Sequence, residues 1–175
     1  MTPASPEAPA RVINIGSIDG IRTPSMDNLS YGPAKAAIHY MTRVFASHLA
    51  GEHIRVNAIA PGPFPTWMLS TGVGFGGETE GVDWGAVGAR NPSGRVGSPQ
   101  DAAGLAIFLA SKASSYITGQ VIALDGGIVG AEHLEPGLPV PAALCHGTVN
   151  IVGSALEPPA LKIGIIKTPS EAINK

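Results

Sequence analysis

Residues 11–35 constrain this chain more than any other stretch. Arg11-Val-Ile-Asn-Ile-Gly-Ser17 is a short apolar run rich in β-branched residues that stops at a glycine and a serine. That is the pattern of a buried parallel strand delivering a hydroxyl to the carboxyl edge of its sheet. A linker follows, and Tyr31 and Lys35 then stand four apart at the start of a segment with apolar residues at helical spacing. The spacing puts phenol and ammonium on one face of a helix. Ser17 is predicted at the mouth of a site, with Tyr31 and Lys35 as neighbours of each other.

Chemistry explains why such a trio is useful. A free phenol titrates near about 10 and is poorly matched to proton transfer at neutral pH unless a fixed cation favours its anion. Lys35 is the cation at the right spacing, and a helix N-terminus adds positive potential. With Ser17 bonded to the oxygen that Tyr31 protonates, the set suits interconversion of a carbonyl and an alcohol, hydride coming from a cofactor. A serine-hydrolase elbow is excluded, because Ile15 and Asp19 stand where Gly-x-Ser-x-Gly needs glycines.

Four blocks occur in one order: Asn14-Ile-Gly-Ser17, Tyr31-x-x-x-Lys35, Asn57-Ala-Ile-Ala-Pro61-Gly-Pro-Phe-Pro-Thr66, and Ile117-Thr-Gly-Gln-Val-Ile-Ala-Leu-Asp125-Gly-Gly127. In these blocks residues 11–130 resemble the short-chain dehydrogenase/reductase family, and look most like its gluconate 5-dehydrogenase and rhamnolipid-type 3-oxoacyl reductase branch. The resemblance implies an α/β fold, the C-terminal half of a Rossmann-like doubly wound parallel sheet. It implies that Ser17 positions the substrate oxygen, Tyr31 is the acid/base, and Lys35 serves Tyr31 and holds the nicotinamide ribose. Thr66, with the Pro61-Gly62 backbone and Phe64 in the same run, would seat the nicotinamide of NADP or NAD. The substrate implied is a small carbonyl or alcohol of 3-oxoacyl or sugar-acid type. Relatives of this kind pair through the helix that starts near Ser30, so a homo-oligomer is expected, with Ala36, Ala46 and Ser47 permitting close approach.

Two departures from the family pattern stand beside the resemblance. The glycine turn that holds a cofactor pyrophosphate at a helix N-terminus should precede residue 11, and no such turn is there. Gly72-Val-Gly-Phe-Gly-Gly77 matches the motif by letter, but no strand pattern enters it and no helical pattern leaves it. The alternative reading is therefore a catalytically inactive remnant or interaction module without the phosphate site. Residues 131–175, with six prolines, are expected to form an irregular tail outside the pattern.

In chain order, residues 1–10 with three prolines read as an extended arm, not a signal peptide. A strand is predicted over residues 12–15 and a polar linker with Pro24 over 20–28. A helix should run from an N-cap at Ser30 to Gly51, its inner stripe Ala34, Ala37, Ile38, Met41, Val44, Phe45 and Leu49. A second strand over 54–59 should stop before Pro61. Residues 66–97, glycine-rich and holding both tryptophans, read as a lid with one short helix over 82–89. A helix capped by Ser98 with Pro99 at its first position buries Ala102, Leu105, Ala106, Phe108 and Leu109, and a third strand covers 120–124. His39, His48 and His53 are spaced to scatter around a helix, which predicts solvated or capping roles in place of metal ligation.

Composition sets the outer limits. With 175 residues and 44% apolar content the chain has room for one domain with a sizeable core. A net charge of -2 without charge blocks supplies no basic stripe for nucleic acid and no polybasic segment for a membrane surface. No apolar run reaches the length of a membrane span. The single Cys145 points to a reducing compartment, and the cytoplasm is expected.

Overall fold

The computed structural model describes residues 4–23, 29–72 and 82–130. The chain divides into two compact units, Met1–His133 and Leu134–Lys175. The second unit lies outside the described residues, as do Pro24 in the linker and most of the Gly72 to Gly77 stretch.

Among the described residues three strands, β1 (Ala10–Ile15), β2 (Ile54–Pro61) and β3 (Val121–Leu124), form a parallel sheet in the order β1-β2-β3. Val12 pairs with Val56 and Ile15 with Ile59, while Ala58 pairs with Val121 and Pro61 with Leu124. Central β2 is buried from Val56 to Ala60, as a near-continuous apolar strand covered on both faces should be. β1 has one neighbour among the described residues, and Val12 and Ile15 are 39% and 55% exposed. Ahead of it, Ser5 and Ala8 exchange backbone hydrogen bonds in a turn, and the strand starts one residue before Arg11.

Among the described residues four α-helices accompany the sheet: α1 (Tyr31–Leu49), α2 (Trp67–Gly72), α3 (Trp84–Ala89) and α4 (Pro99–Ala110). Asn14 Nδ2 donates to Thr42 Oγ1 on α1 at 2.9 Å, whereas Arg11 donates to the Ser111 carbonyl just past α4 at 3.0 Å. Residues three apart on a strand point to opposite faces, so α1 and α4 cover the two sides of the sheet. This is the doubly wound arrangement expected.

The inner face of α1 differs from the predicted one. Gly32, His39, Thr42 and Ala46 are buried, while Met41 and Phe45 remain 37% and 44% exposed. Asn14 on β1 supplies a hydrogen-bond partner to Thr42, and the turn after β1 supplies partners to His39, so polarity alone misplaced the stripe. Ala46 is turned inward, where a Cβ at Gly119 would meet it at 3.3 Å, and it is not available to an outer pairing face. Ser30 occupies the N-cap position in helical geometry without a side-chain cap bond. The helix stops at Leu49, a 3-10 turn Ala50–Glu52 follows, and the reversal falls on His53 at φ 57, not on Gly51.

Pairing of β2 also continues past the predicted stop at residue 59. Pro61 lacks an N–H, but Gly62 N–H reaches the Leu124 carbonyl at 3.0 Å and extends the ladder. Asn57 latches the sheet to the loop before β3, donating to the Ile117 carbonyl at 2.9 Å and accepting from Gln120 N–H at 3.0 Å. The short helix predicted near 82–89 is α3, capped by Asp83. Unforeseen α2 is only six residues long, too short to show a period, and Thr66 Oγ1 accepts from Leu69 N–H at its start. α4 begins as expected, with Pro99 first and a capping box between Ser98 and Asp101. Leu109 is fully buried, whereas Phe108, predicted to be inward, is 38% exposed.

Candidate active site

The site forms where β1 and β2 end. After Ile15 the Gly16 N–H donates to the Ile59 carbonyl at 2.7 Å, holding the chain against β2 for one more residue. Ser17 follows, 7% exposed, and its hydroxyl accepts from Asp19 N–H at 3.2 Å to cap the 3-10 turn Ile18–Gly20. On α1, Lys35 Nζ donates to the Ile15 carbonyl at 3.0 Å and stands 5.4 Å from the centre of the Tyr31 ring. The strand end therefore orients the ammonium that faces the phenol.

One cavity of about 440 Å³ gathers these groups. Ser17, Tyr31 and Lys35 line it together with Pro61, Gly62, Phe64 and Thr66. Every site residue singled out in the sequence thus borders a single space. The volume is ordinary for a small-molecule pocket, about 300–1,000 Å³. Its position outside the carboxyl ends of parallel strands is where open α/β sheets place ligands.

Three of these residues also carry packing duties. A Cβ at Gly62 would lie 2.8 Å from Asp125 Cα, so only glycine allows β3's exit to pass this closely. Phe64 lies against Gly97, where a Cβ would come within 2.4 Å of its ring. Thr66 caps α2 through the bond to Leu69 N–H.

Asp19 and Arg22 line the cavity and were not anticipated. Burial pushes the Asp19 carboxyl up, and the neighbouring Arg22 charge pulls it partly back. His39 is the larger departure: it was expected in a solvated or capping role and is 5% exposed beneath the serine turn. Its ring approaches Ser17 N–H and the Gly20 carbonyl. Burial holds the imidazole below its ordinary pKa, the Gly20 bond opposes this, and the Arg43 and Lys35 charges add to the depression. The signal available in sequence was a histidine four residues beyond Lys35, on the same helix face, with glycines at 16 and 20.

Comparison with known proteins gives the family. The family profile described as Enoyl-(Acyl carrier protein) reductase matches residues 1–129. The rhamnolipids biosynthesis 3-oxoacyl-[acyl-carrier-protein] reductase of Pseudomonas aeruginosa is 48% identical over 124 residues, 71% of this chain and 46% of that protein. Among solved structures, the Pseudomonas aeruginosa RhlG/NADP active-site complex aligns with a TM-score of 0.61 at 48% identity, covering 71% of this chain and 48% of that one. A candidate NAD(P)-dependent gluconate 5-dehydrogenase from Beutenbergia cavernae, with bound NADP, aligns at 0.59 and 35% identity over 70% of this chain and 47% of its own. The chain spans about half the length of these relatives. With a family profile covering most of its length and the fold to match, the chain belongs to the short-chain dehydrogenase/reductase family.

Proposed function

We propose that these residues form the reaction half of an oxidoreductase that interconverts a carbonyl and a secondary alcohol with NADP or NAD. The observation that carries the reading is the shared cavity, lined by Ser17, Tyr31 and Lys35 together with Pro61, Gly62, Phe64 and Thr66. The substrate class favoured is a 3-oxoacyl thioester or a sugar acid, since 3-oxoacyl reductases and a candidate gluconate dehydrogenase are among its relatives. NADP is the favoured cofactor, being bound in two solved relatives.

The residues present fit the nicotinamide end of such a cofactor. Lys35 brings a cation to the cavity wall, oriented by the Ile15 carbonyl, and can donate its other protons to ribose hydroxyls. Phe64 and Pro61 add apolar lining to the same cavity, suited to the face of an aromatic ring. When bound, the cofactor supplies or accepts the hydride. In the reduction direction Tyr31 delivers a proton to the substrate oxygen. Ser17, whose oxygen already accepts from Asp19 N–H, keeps its hydroxyl proton to donate to that same oxygen. The Lys35 ammonium lies 5.4 Å from the centre of the ring that carries the phenol oxygen.

The test is a purified chain incubated with NADPH or NADH and a panel of 3-oxoacyl thioesters and sugar acids, following cofactor absorbance. The same assay is repeated with the first half of a relative's domain supplied as a separate chain, which offers a phosphate turn and a strand to pair with β1. Carbonyl-dependent oxidation of the cofactor, abolished by Tyr31→Phe, is expected under at least the second condition. A chain inactive under both supports the inactive-remnant alternative and overturns the reading.

A further inference from the structure

The backbone around Ser17 is wrapped on one imidazole. A Cβ at Gly16 would lie 2.0 Å from His39 Nε2, and one at Gly20 would lie 2.8 Å from Cε1. The turn closes over the ring only because both positions are glycine. Ser17 N–H donates to Nε2 at 3.4 Å, and Nδ1 stands 3.3 Å from the Gly20 carbonyl. A backbone N–H cannot accept and a carbonyl cannot donate. Both contacts are therefore satisfied by one form alone, the neutral ring with its proton on Nδ1.

We propose that His39 is a positioning residue for Ser17, its ring bridging Ser17 N–H and the Gly20 carbonyl so that the turn holds the serine hydroxyl at a fixed place in the cavity. The proposal rests on the role given to Ser17 under Proposed function. The other polar groups of Ser17 are tied within the same turn: its carbonyl accepts from Gly20 N–H at 3.0 Å and its hydroxyl oxygen from Asp19 N–H at 3.2 Å. His39 completes the set by taking the remaining N–H, and the hydroxyl proton is left for a substrate oxygen. Because α1 also carries Tyr31 and Lys35, the ring fixes the distance between the helix that bears the proton donor and the turn that bears the serine.

The clamp depends on protonation. A proton on Nε2 would set two donors against each other at Ser17 and release the turn. The charges that bear on the ring are Arg43 and Lys35 on its own helix; Asp19 lies in the turn whose Gly20 carbonyl the ring meets, with Arg22 beside that carboxylate, and the approach from the β1 end is through uncharged Gly16. The two helix cations keep the ring neutral, reinforcing its burial.

The full chain, labelled with nitrogen-15, reports the clamp without turnover. The His39 ring is expected to show the Nδ1-protonated tautomer, to titrate below the ordinary histidine value of about 6.5, and to move the Ser17 amide resonance as it does. A ring protonated on Nε2, or a Ser17 amide indifferent to that titration, overturns the proposal. In the turnover assay, with the supplied half-domain where it is needed, His39→Leu is expected to lower kcat at least tenfold with little change in cofactor KM. His39→Gln, which retains an acceptor and a donor, should recover most of kcat and flatten the acidic limb of the pH profile. A folded His39→Leu protein with unmutated kcat and pH profile also overturns it. In a chain without turnover the tautomer and amide readings still decide the clamp, and that failure falls on the oxidoreductase reading instead.

Discussion

Lys35 Nζ stands 5.4 Å from the centre of the Tyr31 ring while donating to the Ile15 carbonyl at 3.0 Å. One ammonium is thus fixed between the end of β1 and the phenol, and the pair can be tested by separating its two duties. Tyr31→Phe removes only the ionisable oxygen, so turnover should fall by about 10²–10⁴ with cofactor affinity nearly unchanged. Lys35→Ala should lower both, read as kcat by absorbance and cofactor Kd by fluorescence titration. Unchanged Kd in the lysine variant would remove its role at the ribose.

Gly62→Ala should destabilise the protein by about 1–3 kcal/mol, because the new Cβ meets Asp125 Cα and Cβ at 2.8 Å and backbone has to move. Urea unfolding measures it. A variant as stable as the original would mean that the turn after β3 gives way at no cost.

Stability should fall in two stages on acidification. His39 is depressed in the folded chain, so its contribution is complete above the ordinary histidine pKa of about 6.5 and fades as pH falls toward the native value. Asp101 is held well below the usual carboxylate range, first by the Arg95 guanidinium and then by Ser98, and its contribution fades below about 3.9. Asp19, raised by burial, works in the opposite sense, losing its contribution as pH rises through the native value. Thermal melts across pH 3–8 should lose the upper stage in His39→Gln and the lower one in Asp101→Asn. Ser98→Ala should cost about 1 kcal/mol by deleting the cap of α4.

The outward face of α1 exposes Tyr40, Met41 and Phe45 at 69%, 37% and 44%. Self-association through this face is expected, and sedimentation at high micromolar concentration should show species larger than one chain that Phe45→Glu disperses. A monomer under those conditions removes the homo-oligomer from the reading.

Local chemistry made much of this chain legible. The β-branched run ending at Gly16-Ser17, the four-residue spacing of Tyr31 and Lys35, and the Ser98-Pro99-Gln-Asp101 start of α4 each specify their own geometry within a few residues. Strand, helix and cap follow from such short-range rules, and the parallel crossover between β1 and β2 follows from their order. Other features depend on what lies across the fold. Which face of α1 turns inward was decided by polar partners across the fold, Asn14 on β1 for Thr42 and the serine turn after it for His39, which apolar periodicity cannot register. The need for glycine at 62 comes from Asp125, and the buried place of His39 comes from Gly16 and Gly20. These are contacts between segments distant along the chain, where the absence of a Cβ in one makes room for the other, so only the assembled packing reveals them.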